Sequence, residues 1–478
     1  MTRQPGWREE ITGVSLNSTG ILYDDPPPRY GSGSGPYNLA EAAFRGDTSR
    51  VQEIIEVTRN NFDSVEMKRY NGMTPLMAAA LNGHLDIVTI LVRHNNTALE
   101  SRDCAGDTAL VYAVRGNQPK IVGFLLDEGS DVNTSNGKGM TPIHIATCEG
   151  HWSCAKKMMT HWSGCNLNRK VEMKSYNGKT PLMAAAYMGH LDIVSKLVQH
   201  NTALESRDHF RDTALAYAVR GNQPKIVRYL LDEGSDINTS NENGMTPIHI
   251  ATCEGHWSCA EKILMHRSGC NLNRKTHDGH TPLIFAIEKN ESCFIKLLVQ
   301  HPRVDLAMAG ARGFNSLHHA ARKNSKNTVE MILQKAPDML NIQKDDGFTA
   351  LHIAAYNGFL DIVLTLARRV NCKRDLTTMA GNTALHLAIP EMHTQCIKHL
   401  VKLGANVNTQ DADGNTSLHL VMMKSTMQDS PVDFVELALF FIENHAEIYI
   451  KNNDGKNVLG VTVNPYTKKI LKKAYKKL

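Results

Sequence analysis

Aromatic residues make up only 6% of this 478-residue chain, and the short motifs that accompany common enzymes are absent. The sequence has no GxxxxGKS/T phosphate loop, no HExxH zinc motif, no GxSxG elbow and no kinase signature. The glycine-rich run Gly31–Gly35 lies between prolines and not between a strand and a helix. We therefore expect no enzymatic activity and no cofactor.

Long apolar runs are also missing. No segment approaches the roughly 18 apolar residues of a membrane helix, and Met1–Tyr30 contains no stretch resembling a signal peptide. The ten cysteines include no CxxC pair. These absences predict reduced thiols, no integral membrane contact and a cytoplasmic protein, with the nucleus as the alternative compartment.

A large excess of charge of one sign is lacking outside the C-terminus. Six of the 53 basic residues are lysines within the last eleven positions, and the remaining 47 face 48 acidic residues. A repeat protein that binds nucleic acid normally shows a basic face. The sequence therefore argues against a nucleic-acid partner.

What the chain does contain is a recurring pattern, Thr-Pro/Ala-Leu/Ile-x-x-Ala, spaced by 33 to 35 residues with one gap of 39. The copies start at Thr74, Thr108, Thr141, Thr180, Thr213, Thr246, Thr281, Asn315, Thr349, Thr383 and Thr416. A period of this size predicts a stack of small units, none of which buries its apolar face alone. Such a stack favours an extended binding surface over a catalytic pocket.

The unit at 177–206 shows the local chemistry of one copy. Asn177-Gly178 predicts a tight turn, and Thr180-Pro181 predicts the cap and first residue of a helix that Gly189 ends. A second helix carries the apolar stripe of Ile193 and its neighbours. These residues resemble the ankyrin repeat, which implies an all-α solenoid of β-hairpin/helix-turn-helix units, about twelve after an irregular first one.

A second level of repetition lies inside the first. Tyr112–Val122 is identical to Tyr217–Val227, and Gly139–Ala155 to Gly244–Ala260, both at an offset of 105 residues. A block of three units has therefore been copied in tandem. The copies either offer two equivalent patches to a bivalent ligand or reflect duplication without functional meaning.

The last third has its own character. Gly313–Ala321, Lys344–His352 and Asn382–Ala388 look like the ankyrin region of the Mind bomb ubiquitin ligases, over residues 281–455. In that family, C-terminal RING domains transfer ubiquitin to Notch ligands. No downstream RING cysteines are present here, so the resemblance implies a binding module and not the ligase activity.

These features predict five segments along the chain. They are a disordered Pro/Gly/Ser-rich head (1–36), an N-terminal capping unit (37–70), repeats with the duplicated block (71–275), Mind bomb-like repeats (276–456) and a Lys-rich C-terminal capping helix (457–478). For the last segment, nuclear import or acidic-lipid binding are alternatives to capping.

Cysteine and histidine cluster twice, first at His144, Cys148, His151, Cys154, His161 and Cys165 and again 105 residues later. Mixed Cys/His ligands suit zinc. However, His144 and His151 fall at the usual ankyrin histidine positions, which the resemblance assigns to structural hydrogen bonds, and Cys154 replaces an apolar residue. We therefore expect packing and no metal site.

The ankyrin family binds partners through hairpin tips and exposed positions of the first helices. Transferred by motif position, this rule gives Tyr70, Tyr112, Arg115, Glu149, Tyr176, Tyr187, Phe210, Tyr217, Arg220, Glu254, Phe285, Arg322, Phe348 and Tyr356. Tyr and Arg are enriched at binding hot spots, but the same aromatic side chains also suit packing between units.

One hairpin tip departs from its copy. Arg211 stands where the other copy has Gly106, which predicts either a strained residue or a differently shaped turn.

We predict a monomeric, non-enzymatic scaffold or adaptor that binds partner proteins on the concave ankyrin surface. The alternative is a substrate-recognition component related to a Mind bomb-type ubiquitin ligase.

Overall fold

The computed structural model describes residues 39–57, 72–94, 98–161, 164–170, 178–425 and 432–477. The predicted disordered head lies outside these ranges, as do 58–70 of the predicted N-terminal unit, Tyr70 and Tyr176. The chain divides into two compact units, Met1–Glu242 and Asn243–Leu478, and each is described by itself. The boundary expected at 275/276 concerns sequence character and stays a prediction.

The described residues contain 26 α-helices in 13 successive pairs. In the first unit the helices are α1 (Leu39–Arg45), α2 (Thr48–Val57), α3 (Pro75–Asn82), α4 (Leu85–His94), α5 (Ala109–Arg115), α6 (Pro119–Asp127), α7 (Pro142–Glu149), α8 (Trp152–Thr160), α9 (Pro181–Met188), α10 (Leu191–Gln199), α11 (Ala214–Arg220) and α12 (Pro224–Asp232).

The second unit continues the same alternation of a short first helix and a second helix. Its helices are α13 (Pro247–Glu254), α14 (Trp257–Met265), α15 (Pro282–Lys289), α16 (Ser292–Gln300), α17 (Ser316–Arg322), α18 (Lys326–Lys335), α19 (Ala350–Tyr356), α20 (Leu360–Ala367), α21 (Ala384–Leu387), α22 (Thr394–Lys402), α23 (Ser417–Ser425), α24 (Val432–Glu443), α25 (Val458–Val461) and α26 (Pro465–Tyr475). The expected all-α fold is confirmed.

The first helix α9 begins and ends where its capping residues predict. The Thr180 hydroxyl caps α9 by accepting from the backbone nitrogen of Met183, and Pro181 occupies the first turn. Gly189 closes α9 with a φ of 92°, a left-handed conformation that glycine adopts without steric cost.

Small side chains allow the helices to pack closely. Ala184, Ala185 and Ala186 of α9 are all 0% exposed. Within each unit, first helices contact the first helix of the next pair, as α3 contacts α5 and α17 contacts α19. Consecutive second helices contact one another in the same way, for example α18 and α20. The apolar core is therefore distributed along the stack in each unit.

In several repeats, a buried histidine ties the first helix to the turn that follows. His352 Nδ1 lies 2.8 Å from Thr349 Oγ1, and its Nε2 lies 2.9 Å from the carbonyl oxygen of Leu376. Burial lowers the pKa of His352 to about 4, so the ring is neutral at physiological pH. The histidine thus holds the helix start and the next turn together.

The turns between pairs contain little β-structure. In the part of the chain that the structure describes, only two isolated antiparallel bridges form, Gln410–Thr416 and Lys451–Asn457. The predicted hairpins are therefore tight turns rather than strand ladders.

Arg211 keeps the turn conformation of the glycine it replaces. Its φ is 63°, beside 77° for Gly106. Of the two alternatives that the sequence left open, the structure shows the strained left-handed residue and not a differently shaped turn.

The last helix lies against its neighbour through one face. Leu471 and Thr467 of α26 are buried where α26 packs on α24. Among the described helices, none combines the length and apolar character needed to cross a membrane.

Candidate partner-binding surface

The two tyrosines of the duplicated motif are buried. Tyr112 is 8% exposed and Tyr217 is 2% exposed. The Tyr112 hydroxyl donates to Asp103 Oδ2 at 2.8 Å, and the Tyr217 hydroxyl donates to Asp208 Oδ2 at 2.6 Å. The expectation that these rings lie exposed on the first-helix face is therefore corrected. Burial and the aspartate bonds assign both rings to packing.

Phe285 is buried for a related reason. It is 5% exposed, and its ring packs edge-on against His249 at 5.9 Å and against His280 at 5.2 Å. Its expected exposure on the surface is likewise corrected, because the turn before its own helix and the preceding first helix cover the ring.

The last residues of the first helices form a second set, which includes Arg115, Glu149, Arg220, Glu254, Arg322 and Tyr356. We call this set the first-helix ends. In the first unit, Arg115 Nη1 lies 3.3 Å from Glu149 Oε1, and its Nη2 lies 3.1 Å from Asp107 Oδ2. The pair with Glu149 links two consecutive repeats, whereas Asp107 lies in the same repeat as Arg115.

Glu149 sits in an environment that opposes its charge. Burial raises the pKa of Glu149 to about 7, although the neighbouring Arg115 pulls it down. His151 Nδ1 lies 3.4 Å from Glu149 Oε2, but burial lowers the pKa of His151, and its Nδ1 also lies 2.8 Å from the Val114 carbonyl oxygen. Glu149 therefore titrates near neutral pH between an arginine and a neutral histidine.

Arg220 and Glu254, the copies of Arg115 and Glu149, repeat the aspartate and histidine contacts of the first copy. Arg220 Nη2 lies 3.1 Å from Asp212 Oδ2, whose side chain is 1% exposed. Glu254 belongs to the second unit, where it lies 3.7 Å from His256 Nδ1. Since both motif tyrosines are buried, the duplicated sequence leaves its arginine side chains partly exposed to solvent, but not its tyrosine rings.

In the second unit, three donors converge on one carboxylate. Arg322 Nη2 and His319 Nδ1 lie 2.5 Å and 2.6 Å from Glu288 Oε1, and Lys323 Nζ lies 3.1 Å from Glu288 Oε2. Burial alone would raise the pKa of Glu288, but these hydrogen bonds outweigh it and lower the pKa to about 2. Arg322 and Lys323 remain 47% and 39% exposed, so positive charge is left facing outward.

Beside them lies an aromatic–cation cluster, which consists of Phe314, Arg322, Lys344 and Phe348. Lys344 Nζ lies 4.7 Å from the centroid of the Phe314 ring and 4.8 Å from that of Phe348. The Arg322 guanidinium carbon lies 5.8 Å from the Phe314 ring. Both rings are half-buried. Cation–π contacts hold the two rings in place at the surface.

Phe314 was not among the residues expected from the sequence. It directly precedes the capping residue Asn315, as Phe348 directly precedes Thr349. Phe314 could have been predicted from this pattern, an aromatic residue directly before the helix cap in two consecutive repeats.

The remaining expected positions differ in exposure. Tyr356 is 52% exposed at the end of α19. Tyr187 and Phe210 are half-buried, and the Tyr187 ring contacts Tyr217 edge-on at 6.3 Å. Tyr70 and Tyr176 lie outside the described residues.

The histidines and cysteines of the suspected zinc cluster have other roles. His144 Nδ1 lies 2.7 Å from Thr141 Oγ1, and Cys154 is 0% exposed. The predicted structural hydrogen bonds of His144 and His151 and the packing of Cys154 are confirmed. Within the described ranges, no three His, Cys, Asp or Glu side chains are placed to hold one metal ion.

An open cleft of the second unit lies between the second helices α18 and α20. Its volume is about 630 Å³, and its lining includes Lys326, Glu330, Asp361 and Arg368. Charges of both signs and wide exposure to solvent distinguish this cleft from the dry pocket that acid–base catalysis requires.

Helix pairs that stack on their neighbours, with histidine-locked turns and charged or aromatic first-helix ends, define a helical repeat protein with an extended surface. A family model described as "Ankyrin repeats (3 copies)" matches residues 39–136, 129–208, 200–276, 258–342, 290–377, 334–411 and 351–452. The chain belongs to the ankyrin-repeat family.

Three relatives illustrate the range of proteins with similar repeats. Alpha-latrocrustotoxin-Lt1a of Latrodectus tredecimguttatus is 28% identical over 44% of this chain and 16% of the relative. Ankyrin repeat and KH domain-containing protein mask-1 of Caenorhabditis elegans is 28% identical over 48% of this chain and 8% of the relative. Human NF-kappa-B inhibitor zeta is 26% identical over 58% of this chain and 38% of the relative.

The chain thus spans well under half of the length of each of these relatives. None of the three is a Mind bomb ligase, so that resemblance rests on the residues at 281–455 and stays a prediction.

Proposed function

We propose that this protein is a non-enzymatic scaffold or adaptor that binds a partner protein through the first-helix ends and hairpin tips. The observation that carries the proposal is the exposure of Arg322, a member of the aromatic–cation cluster, and of Tyr356. Arg322 and Tyr356 occupy the same position in consecutive repeats, on α17 and α19, which pack together. Arginine and aromatic side chains dominate binding hot spots.

The charges of this surface favour an acidic partner segment. Arg322 and Lys323 share the single carboxylate of Glu288 and remain partly exposed. A carboxylate from a partner would meet these cations while its apolar side chains contact the half-buried rings of Phe314 and Phe348. In the first unit, the accessible expected positions, such as Arg115 and Phe210, would contact a partner in the same manner.

Affinity capture with matched variants tests this proposal. Partners captured by the wild-type protein would be identified by mass spectrometry, and the Kd of the purified pair measured by calorimetry. We expect Arg322→Ala and Tyr356→Ala to raise the Kd by about 30-fold each, since a hot-spot truncation costs about 2 kcal/mol.

Arg368→Ala is the control, because Arg368 is an exposed arginine of the same unit that follows a second helix and lines the cleft between α18 and α20. Equal Kd values for the wild type, Arg322→Ala and Tyr356→Ala would refute the proposed surface, as would an equal loss in Arg368→Ala.

A substrate-recognition component of a Mind bomb-type ubiquitin ligase is the second candidate. The residues that favour it are Gly313–Ala321 and Asn382–Ala388. On this hypothesis, captured material supplied with ubiquitin, activating and conjugating enzymes and ATP would ubiquitinate the bound partner. Partner binding without ubiquitin transfer would favour the scaffold instead.

A further inference from the structure

The segment 457–477 carries six lysines and no acidic residue. Four of the lysines, Lys469, Lys472, Lys473 and Lys476, recur at helical spacing along one side of α26 and are exposed. Tyr466 lies on the same side, three residues before Lys469, and is 73% exposed. We call these five residues the basic stripe.

Contacts on the opposite side of α26 fix the direction in which the stripe points. Thr467 and Leu471 are buried against α24. The Tyr475 hydroxyl donates to Glu447 Oε2 at 2.8 Å, and the Tyr475 ring contacts Tyr449 edge-on at 5.5 Å. The helix is thus held to the unit by its apolar side, and the lysines face outward.

The lysines of the stripe differ from two other lysines of this unit, which pair with carboxylates in the described structure. Lys398 pairs with Glu436 and Lys323 pairs with Glu288. In contrast, no described Asp or Glu lies within ion-pair distance of a stripe lysine. The charge of the stripe is therefore available to an external anion.

Exposed apolar surface adjoins the start of the stripe. Val463, in the loop before α26, is 71% exposed, next to Tyr466. Lysines beside an exposed aliphatic and an exposed aromatic residue match the interface of a bilayer, where headgroups attract the cations and the apolar side chains enter the acyl boundary.

We propose that the basic stripe, together with Val463, binds the surface of a membrane that contains anionic phospholipids. The alternative, nucleic acid, fits less well, because the stripe contains no arginine for bidentate phosphate contacts and offers a single aromatic ring for base stacking. Val463 would also gain nothing from a phosphate backbone. The contact is peripheral and requires no membrane-spanning segment.

Vesicle sedimentation with the full chain tests the proposal. We expect the protein to bind phosphatidylcholine vesicles that contain about 30 mol% phosphatidylserine and to leave pure phosphatidylcholine vesicles unbound. Each lysine near an anionic surface strengthens binding by about fivefold, so Lys469→Ala/Lys473→Ala weakens partitioning by about 25-fold. Higher salt weakens wild-type binding through charge screening.

The matched control is Lys373→Ala/Lys402→Ala, which removes two exposed lysines elsewhere in the second unit. Equal losses in both double variants, or no binding to the phosphatidylserine vesicles, would overturn the proposal. Tyr466→Ser separates the two classes of partner, because we expect it to weaken vesicle binding. Tighter binding to duplex DNA than to vesicles, with no effect of Tyr466→Ser on the vesicles, would identify nucleic acid and reject the membrane.

Discussion

Tyr217→Phe removes one hydroxyl from the interior of the first unit. That hydroxyl donates at 2.6 Å to Asp208, whose side chain is itself buried, with the residue 6% exposed. Water has little access to replace the lost donor. A hydrogen bond to a buried charged group contributes about 1.5–3 kcal/mol, so we expect the substitution to cost about 2 kcal/mol.

The duplicated block supplies a matched experiment. Tyr112→Phe removes the equivalent hydroxyl, which donates at 2.8 Å to Asp103. Asp103 is half-buried, and solvent can supply another donor there. We therefore expect Tyr112→Phe to cost about 1 kcal/mol or less.

The cost of Tyr217→Phe depends on pH, and the pKa of Asp208 sets the sign of this dependence. Burial raises the pKa of Asp208 above its usual value, and the hydrogen bond from Tyr217 opposes that rise. Removing the Tyr217 hydroxyl raises the pKa of Asp208 further. A carboxyl group with a raised folded-state pKa favours folding at low pH and loses that contribution as pH rises through the folded pKa. The substitution therefore has its full free-energy cost at neutral pH, and this cost decreases as the pH falls and Asp208 becomes protonated.

Native-state hydrogen exchange is the appropriate assay, because a repeat stack of this length does not unfold in one step. We expect amides of α11 to exchange about 30-fold faster in Tyr217→Phe at neutral pH, and amides of α5 about fivefold faster or less in Tyr112→Phe. Amides of α17 serve as an internal reference. Equal effects in the two copies would refute the reasoning from burial. If Tyr217→Phe lost partner binding without faster amide exchange, Tyr217 would belong to the partner-binding surface after all.

Four further outcomes follow from individual residues. Arg211→Gly should stabilise the protein by about 0.5 kcal/mol in urea unfolding, since relief of the left-handed strain exceeds the added chain entropy. Gly106→Ala should instead destabilise it by about 2 kcal/mol or more, because an added Cβ would lie 2.6 Å from a backbone nitrogen of the next turn. Because the folded pKa of Glu149 is raised to about 7, the contribution of Glu149 to stability should fall as pH rises from about 4.5 to 7, so Glu149→Gln should gain stability relative to the wild type over that range. In a timed thiol assay, exposed Cys104 and Cys293 should react before the other cysteines, and simultaneous reaction of all ten would contradict the burial.

The helices could be predicted from the sequence because their boundaries depend on neighbouring residues. Thr180, Pro181 and Gly189 act within one helix, so their spacing was enough to place its start and its end. The histidine positions were equally local, since His144 contacts the Thr141 three residues earlier. Local chemistry repeated many times makes the architecture readable from one sequence.

Exposure could not be predicted in the same way. The position of a residue within the repeat gives its helix face, but the covering side chains come from the adjacent turn. Tyr217 is buried because it reaches Asp208, nine residues earlier, and Phe285 because His280 and His249 pack on it. Phe314 was missed because its value as a surface residue depends on Lys344 of the next repeat.

The duplicated block shows where divergence between the copies acts. Both copies keep the tyrosine and its aspartate partner, yet Asp208 is buried and Asp103 is half-buried. The tip residues beside the aspartate are larger in the second copy, where His209-Phe210-Arg211 replace the smaller residues at 104–106. The larger tip residues therefore coincide with deeper burial of the aspartate carboxylate. The helix that carries the tyrosine keeps the same length and the same capping threonine in both copies. A partner that distinguishes the two copies would do so at the tips.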